Sequence, residues 1–484
     1  MSSSSKLSFL VKDSMVYGLS SAISKAFSLI TFPLLIKNFT VSEFGIIDYF
    51  MVLANFITIF FVFGQDSAVA RFFYNSETEE DKQNVISQSL SLQLVGLLIF
   101  MPVLWNSNNI IKKLLINNTE ALNYFKIILL QIPFLLFINF SQNILKWTFS
   151  RKRFLFMSLG YTVIQTTLLI YVVLISKQGV KSVFYVSLLT NVLFGLIGLI
   201  SIRKWIIIPV KFDLLPEMIK FALPFGAICV FSAFSPTLER SFTNLILGMN
   251  DLGLYAAGNK IAMLIGLVVT AFQTAWGPYS LSMYKESKSI DRYNLVLKYF
   301  TLFICLSIFI LTLSAIPVIK LMASSKYLNA FTLVFPLTLS VGIEAISSIT
   351  EIGISISKKS YLYLISNFLS VTITFLLLYI LTPYFGIAGV AYSVLFGKVV
   401  KSIINFILAQ KVYFLPWNYL TSTKIIFFTL ALCISSSIIN NKFGILAFYC
   451  INIFGFITLL LYGWNMMITN LQKRQLLNYL KNAF

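Results

Sequence analysis

Apolar runs of about twenty residues or more recur along almost the whole chain, separated by short polar connections. A bilayer core about 30 Å thick needs roughly 20 mostly apolar residues per helix, and backbone facing lipid must be hydrogen-bonded within its own segment. The pattern therefore predicts an all-α polytopic membrane protein with about 14 transmembrane helices. The expected spans are 14–36, 45–70, 85–105, 121–148, 154–176, 180–202, 218–247, 252–283, 294–319, 327–356, 361–381, 386–410, 421–439 and 443–469. Losing one pair of them would leave twelve. The longest polar gaps, 75–84 and 203–217, are loop-sized, so no separate soluble domain is expected.

Composition supports lipid as the main solvent: of 484 residues, 58% are hydrophobic and only 11% charged, against about 25% charged in a soluble globular chain. The formal net charge is +20, from 37 Lys+Arg and 17 Asp+Glu. Nucleic-acid binding would need a basic, aromatic-interleaved surface domain, and none is present. The basic residues instead lie mainly in the connections, where they act as orientation signals and meet anionic headgroups of membrane lipids. Alternate connections carry roughly 23 basic residues on one side and about 9 on the other, which puts both termini in the cytoplasm. The stretch Met1 to Ser8 is polar and Lys25 interrupts the first apolar run, so that run is expected to persist as the first span and not to be a cleaved signal.

The chain has no histidine, which removes the commonest general base and any histidine metal site. Cys229, Cys305, Cys433 and Cys450 are far apart inside apolar segments and read as small buried hydrophobes. Trp105, Trp147, Trp205, Trp417 and Trp464 lie near expected helix ends and read as interfacial belts, while Trp276 precedes Gly277-Pro278 at a possible bend.

Two hairpins echo each other: Phe39 to Gly45 between spans one and two, and Gly248 to Tyr255 between spans seven and eight. A repeat displaced by six spans keeps its orientation, because six is even, and implies parallel repeats about an axis along the membrane normal. The expected organisation is an N-terminal lobe over 1–211, a C-terminal lobe over 212–415, and two further helices with a cytoplasmic tail over 416–484. The substrate route would run through a central cavity between the two six-helix lobes.

Charges inside spans carry the chemistry. Lys25 lies in span one, Glu239 and Arg240 in span seven, Lys260 in span eight, Glu344 and Glu351 in span ten, and Lys398 and Lys401 in span twelve. Five bases facing lipid would cost on the order of 12–17 kcal/mol, so they are expected to face a polar interior. Lys398 and Lys401 share a helical face with Asn405, and Arg240 shares one with Asn244. The surplus of bases over acids suits an anion, with phosphate or diphosphate the natural candidate. The alternatives are that Lys260 snorkels to the interface, that Glu239 pairs with a base, and that Lys398 and Lys401 reach a headgroup. Glu344 and Glu351, two turns apart, suit a proton or sodium site or salt bridges with the bases. Arg71 closes span two and either meets a headgroup or anchors the helix.

These hairpins and polar positions resemble the Wzx-type O-antigen flippases of the multidrug/oligosaccharidyl-lipid/polysaccharide exporter superfamily. The residues that carry the resemblance are Phe32 to Leu35 with Glu43 to Gly45, Gly64 with Ala70 to Phe72, Leu238 to Arg240 with Leu252 to Tyr255, and Pro383 to Ala391. The resemblance implies a flippase that moves an undecaprenyl-diphosphate-linked oligosaccharide, an O-antigen, capsule or similar unit, from the cytoplasmic to the periplasmic leaflet of a bacterial inner membrane. It implies that Lys25, Arg240, Lys260, Lys398 and Lys401, with Arg71, take the anionic headgroup. It also implies a polymerase and a chain-length regulator of the same pathway as partners. No cofactor is expected, and an H+ or Na+ gradient is the candidate energy source, with Glu239, Glu344 and Glu351 as coupling sites or salt-bridge partners.

Three other functions compete. A lipid II flippase shares the superfamily. A cation or drug antiporter of the same fold would show an acidic or apolar cavity. A membrane glycan polymerase or lipid-using glycosyltransferase would show a large external loop or a carboxylate cluster, whereas the acidic run from Glu77 to Asp81 reads as a solvated loop.

Overall fold

A computed structural model describes residues 17, 18, 20, 23, 24, 26–28, 30–107, 119–209, 212–442 and 453–463. They are overwhelmingly helical, with no strand among the described residues. In chain order the helices are α1 (Ala26–Asn38), α2 (Val41–Val62), α3 (Gln65–Asn75), α4 (Glu79–Asn106), α5 (Thr119–Trp147), α6 (Arg151–Ile170), α7 (Val180–Ile202) and α8 (Leu215–Leu247). They continue with α9 (Met249–Met283), α10 (Ser289–Leu313), α11 (Ala315–Met322), α12 (Phe331–Thr350), α13 (Ile352–Ile356), α14 (Leu362–Val412), α15 (Tyr419–Lys442) and α16 (Ile453–Gly463). Ten described helical stretches are long and apolar enough to cross a bilayer, and α1, α15 and α16 contribute shorter apolar runs. The fold is thus a helical membrane bundle, as the apolar pattern requires.

Local chemistry explains where several boundaries depart from expectation. Thr40 caps α2 in a capping box, its hydroxyl accepting from the Glu43 backbone while the Glu43 carboxylate accepts from the Thr40 backbone. Thr78 caps α4, with Glu79, Glu80 and Asp81 in the first turn, so this helix starts six residues before the expected Val85. The expected span 45–70 breaks into α2 and α3 because Phe63 (φ 39) and Gly64 (φ 71) are both left-handed, a conformation glycine adopts freely and phenylalanine does not. The expected spans 361–381 and 386–410 are the two limbs of α14, which turns back at non-helical Gly386 so that Ser370 on the first limb donates to the Gly397 carbonyl on the second. Pro278 lies inside α9, which continues past it to Met283.

The chain forms two compact units. In the first, comprising Met1–Ala257, Met322–Tyr327 and Ser360–Gly397, α2 packs along α5 and α8, and α5 along α7. Its apolar core includes Val85, Ile86, Ile144, Met157, Phe194 and Met218. A buried polar chain is threaded through it: Tyr161 donates to Asn191, Asn191 to Gln131, and Gln131 to the Phe184 carbonyl, so these polar groups are bonded inside the bundle. Two backbone crossings join its helices. Near the start of α2 and α9, a Cβ on Gly45 would lie 2.6 Å from the Met249 oxygen, and one on Gly253 would run into the Val41 oxygen. At the other end of α2, Gly64 meets Ala222 and Gly226 of α8.

The second unit comprises Gly258–Leu321, Leu328–Lys359 and Lys398–Phe484. Here α10 packs along α12 and α15, with Phe309, Cys433 and Leu459 in the core. Cys305 is also buried, whereas Cys229 in the first unit is exposed, and Cys450 lies outside the described residues. Trp276 and Trp417 are buried against Tyr293, whose hydroxyl donates to the Ser280 carbonyl, so Trp417 is packed in protein.

Candidate functional site

Among the described residues, each unit holds a cluster of charged side chains inside apolar helices. In the first unit the Arg240 Nε donates to Asp48 Oδ2 at 2.8 Å, and both side chains are only 3% exposed. Its Nη1 donates to the Pro236 carbonyl at 3.2 Å and lies 3.8 Å from Glu239 Oε2. Glu239 is held independently by hydroxyl donors, Tyr255 at 2.7 Å and Ser235 at 3.0 Å. The Arg240 guanidinium also lies over the Tyr255 ring, 5.6 Å from its centre. Tyr49 and Ser241 share a hydroxyl hydrogen bond beside the pair.

Three helices supply this cluster at one depth. Asp48 follows Val41 by seven residues, Tyr255 follows Met249 by six, and Arg240 precedes Leu247 by seven. At 1.5 Å per residue, each stands about 10 Å from its helix's hairpin end, and Asp48 and Tyr255 stand about one turn or less from the Gly45 and Gly253 crossing.

In the second unit Lys398 and Lys401 donate to the two oxygens of one carboxylate, Glu344, at 2.8 and 2.5 Å. Two turns further on, Asn405 donates to Glu351 Oε2 at 2.6 Å, and Ser347 donates to the same oxygen at 3.4 Å. The spacing from Glu344 to Glu351, the C-cap of α12, equals that from Lys398 to Asn405 on α14, so α12 and this limb of α14 run parallel in register. Expected spans ten and twelve, both even, require that direction. Glu344, Glu351, Lys401, Asn405, Thr270 and Gln273 face a cavity of about 290 Å³. The Asn405 side-chain oxygen and the Ser402 hydroxyl at its edge are buried without a hydrogen-bond partner.

The structure thus brings Lys398, Lys401 and Glu344 together, with Glu351 beside them, and joins Arg240 with Glu239. Lys260 is exposed, Arg71 is exposed with its guanidinium over the Phe221 ring at 4.5 Å, and Lys25 lies outside the described residues. Sequence reasoning missed Asp48. A lone Asp in the apolar run Gly45 to Phe50 is as costly in lipid as Arg240, and that cost was the available signal. With Asp48 counted, every described intramembrane base in the two clusters has a carboxylate partner, and the sites are ion-paired in this conformation.

Comparisons with known proteins agree with this architecture. The profile of the family described as "Polysaccharide biosynthesis protein" matches residues 10–285, more than half the chain. An uncharacterized membrane protein of Haemophilus influenzae is 24% identical over 300 residues, covering 59% of this chain and 70% of its own. Among solved structures, a lipid II flippase MurJ in an inward closed conformation superposes with a TM-score of 0.73 at 16% identity, over 92% of this chain and 98% of its own. An inward-facing multidrug resistance MATE family transporter superposes at 0.66 and 16% identity, over 80% and 94%. These likenesses establish a shared fold.

Proposed function

The chain belongs to the polysaccharide biosynthesis protein family, and within it we propose a flippase that carries an undecaprenyl-diphosphate-linked oligosaccharide, an O-antigen, capsule or similar unit, across a bacterial inner membrane by alternating access. The observation that carries the reading is that Arg240, Lys398 and Lys401 are kept inside apolar helices on internal carboxylates. Ion pairs of this kind, fully buried at Arg240 and partly exposed at Lys398 and Lys401, contribute little net stability over well-packed apolar residues, so their presence is best explained by a role in transport. A diphosphate headgroup gives them that role, because it brings enough negative charge to take these cations from their carboxylates while it passes through the membrane. Lys25, Lys260 and Arg71 complete the proposed set of headgroup contacts.

In this reading the lobes over 1–211 and 212–415 rock about the headgroup, the prenyl tail stays in lipid, and 416–484 adds two helices beside them. Both termini face the cytoplasm, and the hairpins around Glu43 and Asp251 face the periplasm. Glu344 and Glu351, with Glu239, are the places where a proton or sodium gradient would bias the two states. The product would pass to a polymerase and chain-length regulator on the periplasmic side. The lipid II flippase among the structural relatives supplies the second reading, because the same headgroup chemistry serves either lipid.

Proteoliposomes carrying labelled polyprenyl-diphosphate oligosaccharide or lipid II test both. Flipping of the oligosaccharide should be lost in the double variant K25Q/R240Q. Flipping that survives this variant removes the headgroup assignment, and flipping of lipid II alone selects the second reading.

A further inference from the structure

Asp48 belongs to the lobe expected over 1–211 and Arg240 to the lobe expected over 212–415, yet the two share a fully buried ionic hydrogen bond. We infer that this pair is a latch that holds the hairpin end of the first unit shut, and that an anionic diphosphate releases it by taking the place of the Asp48 carboxylate on Arg240. The second half of this inference rests on the substrate reading above.

Position is the first argument. The pair lies about one turn inside the Gly45 and Gly253 crossing, since Asp48 is three residues, about 4.5 Å, along α2 from Gly45, where α2 and α9 touch backbone to backbone. Glycine contacts of this kind seal a gap but supply only dispersion and weak C–H contacts. The ionic hydrogen bond joins α2 to α8 at that depth, and Tyr49 to Ser241 adds a neutral one.

Energetic balance is the second. Both charges are removed from water, and that desolvation offsets most of their attraction. Separating the helices would rehydrate both ions, so a latch made of charges stands near balance between shut and open. An apolar contact at the same place would favour the shut state throughout.

The local geometry supplies the third. Glu239 is already held by Tyr255 and Ser235 and lies 3.8 Å from the guanidinium, whereas Asp48 lies at 2.8 Å. Exchange of one anion for another therefore acts on the contact to α2 and leaves the bonds between α8 and α9 in place. Arginine is suited to such an exchange because its planar fork donates to carboxylate and phosphate oxygens alike.

Cysteine accessibility tests the latch on the full chain in membranes. Thr243 is fully buried one turn from Arg240 toward the hairpin end, so T243C reports whether that end opens. Labelling by a membrane-impermeant maleimide is compared with protein lacking T243C, in right-side-out and inside-out vesicles. With D48N added, labelling from the hairpin side should accelerate by about tenfold or more. D48N/R240Q, which leaves no orphan charge, should label equally fast. If this neutral pair labels as slowly as T243C alone, the ion pair is not a latch and the single variant merely suffers from its stranded arginine.

The exchange is read in T243C with the native pair. Farnesyl diphosphate in the membrane should accelerate labelling, and should have no effect on D48N/R240Q. Acceleration by farnesyl diphosphate alone assigns the trigger to a lipid headgroup, and acceleration by inorganic pyrophosphate as well assigns it to any diphosphate. If neither compound acts while the neutral pair labels fast, the latch stands, but the exchange and the diphosphate assignment of Arg240 both fail.

Discussion

At the scale of single residues, two ammoniums on one carboxylate make Glu344 the member of its cluster with the most to lose. Lys398 and Lys401 are one turn apart on α14, and both donate to Glu344. Replacing either lysine by glutamine leaves a one-to-one pair, whereas E344Q leaves two like charges facing each other on one side of a helix. The side chains are partly exposed, at 29% for Lys398, 17% for Lys401 and 38% for Glu344. The penalty is therefore below the roughly 3–5 kcal/mol of a fully buried broken pair, on the order of 1–2 kcal/mol for E344Q. Thermal unfolding of the purified protein in detergent should rank the losses as E344Q, then K401Q, then K398Q, with the triple neutral variant milder than E344Q. A larger loss for K398Q than for E344Q would show that Glu344 is not the shared counter-ion.

At the scale of elements, the crossing of α2 and α9 depends on the absence of two side chains. A methyl at position 253 would overlap the Val41 oxygen, a clash that no rotamer change relieves because the obstacle is backbone. G253A should therefore reduce the yield of monodisperse protein and lower its unfolding temperature. G277A meets nothing within 4 Å inside α9 and should be neutral or stabilising by up to about 1 kcal/mol, since alanine favours helix over glycine by that amount. Equal behaviour of the two variants would mean that α2 and α9 do not cross closely. This contrast also marks what was legible in the sequence. Lipid forces backbone to bond within its own segment, so apolar run length alone announced nearly every helix. The neighbours of each helix are not encoded in run length, so the carboxylate of Asp48 went unmatched to Arg240 until the fold placed α2 beside α8. The break at Phe63 and Gly64 was hidden for a related reason. It depends on the close fit of Gly64 to Gly226, a contact between elements far apart in the chain. Glu344 and Lys401 were visible as charges in apolar helices, but only their parallel register on α12 and α14 showed that they neutralise each other.

At the scale of the whole molecule, direction of transport depends on which way the chain sits in the membrane. In the proposed orientation, which rests on the surplus of basic residues on alternate connections, the connection after α3 is cytoplasmic and the one before α9 is outside. Glu80 and Asn250 lie in these two connections or at their helix ends, and both are exposed. E80C should react with an impermeant maleimide only in inside-out vesicles, and N250C only in right-side-out ones. This result carries weight for mechanism because the Asp48 to Arg240 pair lies near the Asn250 end. With that end outside, the shut latch faces the periplasm, and a lipid-linked sugar made on the cytoplasmic leaflet meets a transporter closed on the far side. Loading from the cytoplasm then precedes opening outward, which is the order an exporter needs. If the labelling pattern were reversed, the same latch would close the cytoplasmic side and the resting state would accept substrate from the periplasm. The fold would survive that outcome, but export of a cytoplasmically assembled glycan by this cycle would not.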